Sequence, residues 1–187
     1  MTTPRNSQDS PLREAILDVA RQHLPVREDV KGNVDSGGHI KKFFMEGVGW
    51  SEKAWTDQQK GSAGAAWCAA FASYCVRKGH DAVGRQLPVK LHAHGGELKS
   101  LLEKAGLYIP VAEATSPTGR KPRPGDFVVY KNNHIGLVES FDPATSKLTT
   151  IEGNTNNTGK EADDGVYNLA PRNLSNIQGF GITDPAP

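Results

Sequence analysis

An α+β fold, with helices of the first half packed on an antiparallel sheet built by the second, follows from how residue patterns are distributed along the 187 residues. Three observations predict it. Apolar residues recur at helical spacing in several segments up to Lys104. From Phe127 onward, short runs rich in β-branched and aromatic side chains alternate with turn formers. Helical and extended segments do not interleave, so a parallel sheet of βαβ units is not indicated. A chain of this length buries a core without metal or disulfide staples, so one domain over residues 10–187 is expected, behind a polar, frayed tail at residues 1–9. No internal repeat or low-complexity segment is evident.

The first helix starts where Ser10 can cap and Pro11 can take the first helical position; Leu12, Ile16, Val19 and Ala20 then share a face up to about His23. Pro25 to Gly38 reads as loop. Ile40, Phe43, Phe44 and Met45 predict a short second helix ended by Gly47. After a Gly-Ser-Ala-Gly connection at 61–64, the proline-free, apolar run Ala66 to Lys78 predicts a third, largely buried helix that stops at Gly79. Leu98, Leu101 and Leu102 mark one face of a fourth helix, Glu97 to Lys104, ended by Gly106. Pro117 to Gly125 is expected to be a solvated connector. Strands follow at Phe127 to Tyr130, Ile135 to Val138 and Lys147 to Ile151, separated by Asn132-Asn133 and Asp142-Pro143; Val166 to Leu169 and Ile177 to Ile182 add two more.

Charge narrows the function little. Lys and Arg number 22 against 21 Asp and Glu, a formal charge of +1, so no global field points to nucleic acid or an anionic membrane. No run reaches the roughly 18 apolar residues of a membrane helix, so membrane insertion is not expected. Met1 to Asp9 lacks the basic-then-apolar pattern of a secretory signal, from which synthesis in the cytoplasm is expected. Cys68 and Cys75 fall on one helical run, about 10 Å apart at the helical rise, too far for a disulfide. Both are read as free thiols, and one of them can be there for its reactivity.

A thiol hydrolase needs a nucleophile, a base within reach and a group that orients the base. Cys68 lies at the start of the third helix, where backbone N–H groups favour an anion and could serve an oxyanion. Free cysteines are also among the most buried residue types, and that plainer reading is applied to Cys75. His134 follows the Asn132-Asn133 turn. If strands 135–138 and 147–151 pair as a hairpin, its open end brings Glu152 near His134, where a carboxylate or amide would hold one imidazole tautomer.

Four motifs carry a resemblance. Gly64-Ala65-Ala66-Trp67-Cys68-Ala69-Ala70-Phe71-Ala72-Ser73-Tyr74 resembles the nucleophile helix of CHAP domains, the cysteine- and histidine-dependent amidohydrolases/peptidases related to NlpC/P60. Arg123-Pro124-Gly125-Asp126-Phe127-Val128-Val129-Tyr130 is similar to that family's strand start before the histidine, and Asn133-His134-Ile135-Gly136-Leu137-Val138 to its histidine motif. Ile151-Glu152-Gly153-Asn154-Thr155-Asn156 is similar to the segment with its third and fourth polar residues. Val26-Arg27-Glu28 and Gly32-Asn33, followed by Ile40, look like the N-terminal part of phage-associated members.

The resemblance implies a papain-like fold and a cysteine peptidase or amidase that hydrolyses peptidoglycan amides through a thioacyl-enzyme. Cys68 would attack, His134 would take and return the proton, Glu152 would orient His134 and Asn154 would polarise the site. Either Glu152 or Asn154 could be the third member; Glu152 is preferred. The implied partner is peptidoglycan. No cofactor and no nucleic acid are expected, and the chain is expected to be a monomer. Without a classical signal, action at the cell wall implies delivery by other machinery, as for a phage endolysin or an effector toxin, the latter with an immunity protein.

His80, His92 and His94 match no usual zinc spacing, so no metal is expected there. Asp29, Asn33 and Asp35 lack the dense acidic alternation of a calcium loop and read as a polar turn. Among Trp50, Trp55 and Trp67, Trp67 is the best candidate for a substrate-binding groove wall. Two alternatives stand beside the wall hydrolase: a catalytically silent wall-binding or toxin-associated module, and a cytosolic amidase acting on a small peptide conjugate.

Overall fold

A computed structural model describes residues 10–28, 38–59, 66–158 and 165–185. The tail expected at 1–9, the polar turn with Asp29, Asn33 and Asp35, and the connection at 61–64 lie outside these residues.

Helix α1 spans Pro11–Gln22, capped at its start by the Ser10 hydroxyl, which accepts from the Arg13 amide. Helix α2, His39–Lys42, runs on into a π-helical turn, Phe43–Gly47. Helix α3, Glu52–Gln59, was not predicted. Its sequence, Glu-Lys-Ala-Trp-Thr-Asp-Gln-Gln, carries too few apolar residues to show a helical stripe. Helix α4 covers Cys68–Ala82 and helix α5 Gly95–Lys104, with Gly106 at φ +70° beyond its end. Gly79 does not stop α4. It lies inside the helix because a Cβ there would come within 2.4 Å of Ile16 Cγ1, so its missing side chain is what lets α1 lie against α4.

Strand β1, Tyr108–Pro110, and helix α6, Val111–Thr115, were also unforeseen; both are too short for periodicity to reveal. Strands β2 (Phe127–Tyr130), β3 (Ile135–Asp142), β4 (Lys147–Thr155), β5 (Gly165–Leu169) and β6 (Ile177–Gly181) lie where extended runs were expected, β3 and β4 each several residues longer. All neighbouring strands pair antiparallel, in the order β1-β6-β2-β3-β4-β5. The fold is α+β and papain-like. Helix α4 packs against α1, the π-helical turn, β3 and β4, so its buried face meets the centre of the sheet.

The connector before β2 is not simply solvated. Arg120 donates to the Tyr108 carbonyl at 2.8 Å, and Pro122 and Gly125 are buried. At its end, Asp126 accepts from the Arg13 guanidinium at 2.8 Å and from the Arg123 and Thr183 amides. Arg13 and Asp126 are both buried. This clasp ties α1 to β2 and the C-terminal residues, and explains why a Pro-Gly-Asp turn precedes the strand that leads to His134. Burial pushes the Asp126 carboxyl up, against the opposing pull of Arg13 and the two amides.

Candidate active site

His134 follows the hairpin between β2 and β3. Tyr130 N donates to His134 O at 2.9 Å and Asn133 N to Tyr130 O at 3.0 Å, closing a three-residue loop, 131–133, in which Asn133 takes the left-handed conformation at φ +66°. A left-handed third residue is the expected ending of such a loop, and asparagine accepts it more readily than any bulky residue. The turn formers thus set where the imidazole begins.

The expected β3–β4 hairpin forms, with Leu137 opposite Ile151. The Glu152 carboxylate therefore reaches the end of β3, and His134 Nε2 meets Glu152 Oε2 at 2.9 Å. Gly136 makes room for it: a Cβ at 136 would stand 2.6 Å from Glu152 Cγ. The other carboxylate oxygen, Oε1, accepts from the Tyr130 hydroxyl and the Thr150 hydroxyl, each at 2.5 Å, and lies 3.0 Å from Arg172 Nε. Burial alone would push the Glu152 carboxyl up. The hydrogen bond and charge of His134, then Arg172 and Thr150, outweigh burial and hold it below the ordinary glutamate value. Tyr130 is moved the other way, upward, by burial and by the neighbouring carboxylate.

Cys68 is the first residue of α4, after Trp67. It keeps 5% of its surface accessible whereas Cys75 keeps none, and burial pushes the Cys75 thiol well up. Gly153 joins the helix start to the Glu152 strand. A Cβ on Gly153 would lie 2.5 Å from the Trp67 ring and 2.9 Å from the Phe71 ring, the residues that flank the first turn of α4. The thiol-bearing turn and the carboxylate-bearing strand are therefore in van der Waals contact one residue from Glu152.

Asn154 is buried, at φ +58°, where the β4–β5 register shifts between Glu152 and Thr155. Such irregularities re-aim side chains beside sites. Its Oδ1 has no hydrogen-bond partner among the described residues, so it is Glu152 and not this oxygen that meets the imidazole.

Trp67 corrects an expectation. Its side chain is wholly buried, packs with Phe43 and Phe71, and donates its indole N–H to Glu28 Oε1. It supports the start of α4 from within the core and offers no wall to a groove. Arg172, which sequence reasoning missed, is the charged partner of Glu152; it follows Ala170-Pro171 in a stretch with no periodic pattern. His80 is a core residue bonded to the Thr183 carbonyl, and His92 and His94 pack against each other with ring centres 5.4 Å apart. Among the described residues no group of three or more His, Cys, Asp or Glu is placed to hold a metal ion, and no helix is long and apolar enough to cross a membrane.

A family model described as the CHAP domain matches residues 45–154, more than half of the chain, a span that includes Cys68, His134, Glu152 and Asn154 but not Arg172. No curated protein and no solved structure matches the chain.

Proposed function

The chain belongs to the CHAP domain family, a family of amidases and peptidases, and from that premise we propose that it cleaves amide bonds of bacterial cell-wall peptide with Cys68 as nucleophile and His134 as base. The observation that carries the reading is the buried contact of His134 Nε2 with Glu152 Oε2. A carboxylate on Nε2 favours the tautomer protonated there, so proton exchange with the thiol falls to Nδ1. The packing of Gly153 on Trp67 and Phe71, either side of Cys68 along α4, supports the pairing of these two elements.

In this mechanism Nδ1 takes the Cys68 proton while the sulfur attacks the amide carbonyl carbon and the C–O electrons move onto oxygen. Backbone N–H groups at the start of α4 suit that oxyanion. The imidazolium, stabilised by Glu152, returns its proton to the leaving nitrogen as the C–N bond breaks, giving a thioacyl-enzyme and a free amine. Water, deprotonated by the same nitrogen, attacks the thioester; the C–S bond breaks and a carboxylate leaves. Asn154 polarises the site through its amide.

The test is digestion of purified sacculi by the wild-type protein and by Cys68→Ala, with released muropeptides identified by mass. The reading expects amide-cleaved fragments from the first and none from the second. Intact sacculi in both overturn it, and cleavage of a soluble peptide conjugate with sacculi untouched moves the substrate to the cytosolic alternative.

A further inference from the structure

Glu152 has two oxygens, and only Oε2 faces His134. A carboxylate held by a single hydrogen bond can rotate about its last torsion, and each rotation would trade the oxygen offered to Nε2. The other edge is therefore where orientation is decided. Arg172 Nε lies 3.0 Å from Glu152 Oε1 and donates to the Tyr130 hydroxyl at 2.8 Å; its Nη2 reaches Oε2 at 3.4 Å. The Tyr130 hydroxyl donates in turn to Oε1, as does the Thr150 hydroxyl, and the guanidinium stands 5.0 Å from the Tyr130 ring centre. The Arg172 backbone amide is moored to the Leu148 carbonyl on β4 at 2.9 Å.

We propose that Arg172 is a positioning residue for the site: through Tyr130 and Oε1 it locks the Glu152 carboxylate with Oε2 toward His134, and so holds the imidazole with Nδ1 available to the thiol. The inference rests on the hydrolase reading for its effect on turnover, while the hold on His134 stands independently of it. Three features favour this role over simple charge burial. Arg172 touches both carboxylate oxygens and the tyrosine that grips one of them, a fork that a point charge cannot reproduce. It stays ionised at any working pH, so the arginine side of the lock does not titrate. Its anchor is the backbone of the strand that carries Glu152, so donor and acceptor move together.

Two measurements test it on the full chain. On soluble muropeptides, Arg172→Ala is expected to lower kcat by about 10- to 100-fold, the range that outer hydrogen-bond partners carry behind a metal-bound imidazole, with KM changed by no more than about twofold. Added guanidinium ion is expected to recover part of kcat, and more of it than Arg172→Lys does. By ¹⁵N NMR of the histidine rings, His134 in the wild type is expected as the Nε2-protonated tautomer, and in Arg172→Ala as a mixture. A cleaving wild type beside an Arg172→Ala variant with unchanged kcat and unchanged His134 ring signals overturns the proposal. Loss of kcat through unfolding alone, with the ring signals of the remaining native protein unchanged and no recovery by guanidinium, overturns it as well. A wild type that cleaves nothing sinks the hydrolase reading instead, and the ring signals still decide whether Arg172 sets the tautomer.

Discussion

His134 Nε2 stands 2.9 Å from Glu152 Oε2, and both side chains are buried. Little water competes for that contact, so the carboxylate decides which ring nitrogen keeps its proton. The consequences are specific enough to measure.

Removing the carboxylate is expected to damage both stability and turnover. Glu152→Ala leaves Arg172 and Tyr130 facing an empty acceptor inside the protein, a loss of about 3–5 kcal/mol for a broken buried pair. Denaturant unfolding measures it. Glu152→Gln keeps the volume, and is expected to cost less stability while still slowing turnover severely.

Acid should act through the same group. The folded Glu152 carboxyl lies below its ordinary value, so its contribution to stability is complete above the unfolded glutamate value of about 4.3 and is lost as pH falls through the lower folded one. The stability gap between wild type and Glu152→Gln is therefore expected to shrink as pH falls below about that value, where the carboxylate that stabilises the imidazolium is itself neutralised. Urea unfolding of the two proteins at a series of pH values gives the gap directly; one that goes on widening below about 4.3 would contradict the assignment.

Gly136→Ala places a methyl group 2.6 Å from Glu152 Cγ, closer than carbon atoms pack. The expected outcome is displacement of the carboxylate from His134 and loss of turnover at a modest stability cost, about 1–3 kcal/mol for an overpacked site. Thermal midpoints and muropeptide release, measured together, separate the two effects.

Cys75 supplies the internal control. It is completely buried with its thiol pushed well up, and Cys75→Ala is expected to keep full activity and lose about 1 kcal/mol. Abolished activity in that variant would mean that the wrong cysteine has been assigned.

The sequence made the hairpin legible because its turn chemistry is local: Asn132-Asn133 ends β2, and strand pairing then brings Glu152 to His134. Cys68 at a helix start was legible for the same reason. Arg172 was not, because its partner is contacted across the sheet from an irregular segment, and no spacing encodes that approach. Trp67 was misread because a tryptophan beside a candidate nucleophile suggests a groove, whereas Phe43, Phe71 and Glu28 enclose it. Gly79 looked like a helix stop because a glycine's usual role is conformational; here it makes room for Ile16, a tertiary reason invisible along one helix.

Hydrolysis by the proposed route requires the thiol of residue 68 to be activated by the Glu152-held imidazole. Site-resolved alkylation of the folded protein by iodoacetamide at neutral pH, followed by mass spectrometry, tests it without any assumption about substrate. Cys68 is expected to be modified while Cys75 is not, and His134→Ala to slow Cys68 on the order of tenfold by removing the base that supports the thiolate. Equal inertness of the two thiols, or a Cys68 rate indifferent to His134→Ala, would contradict it.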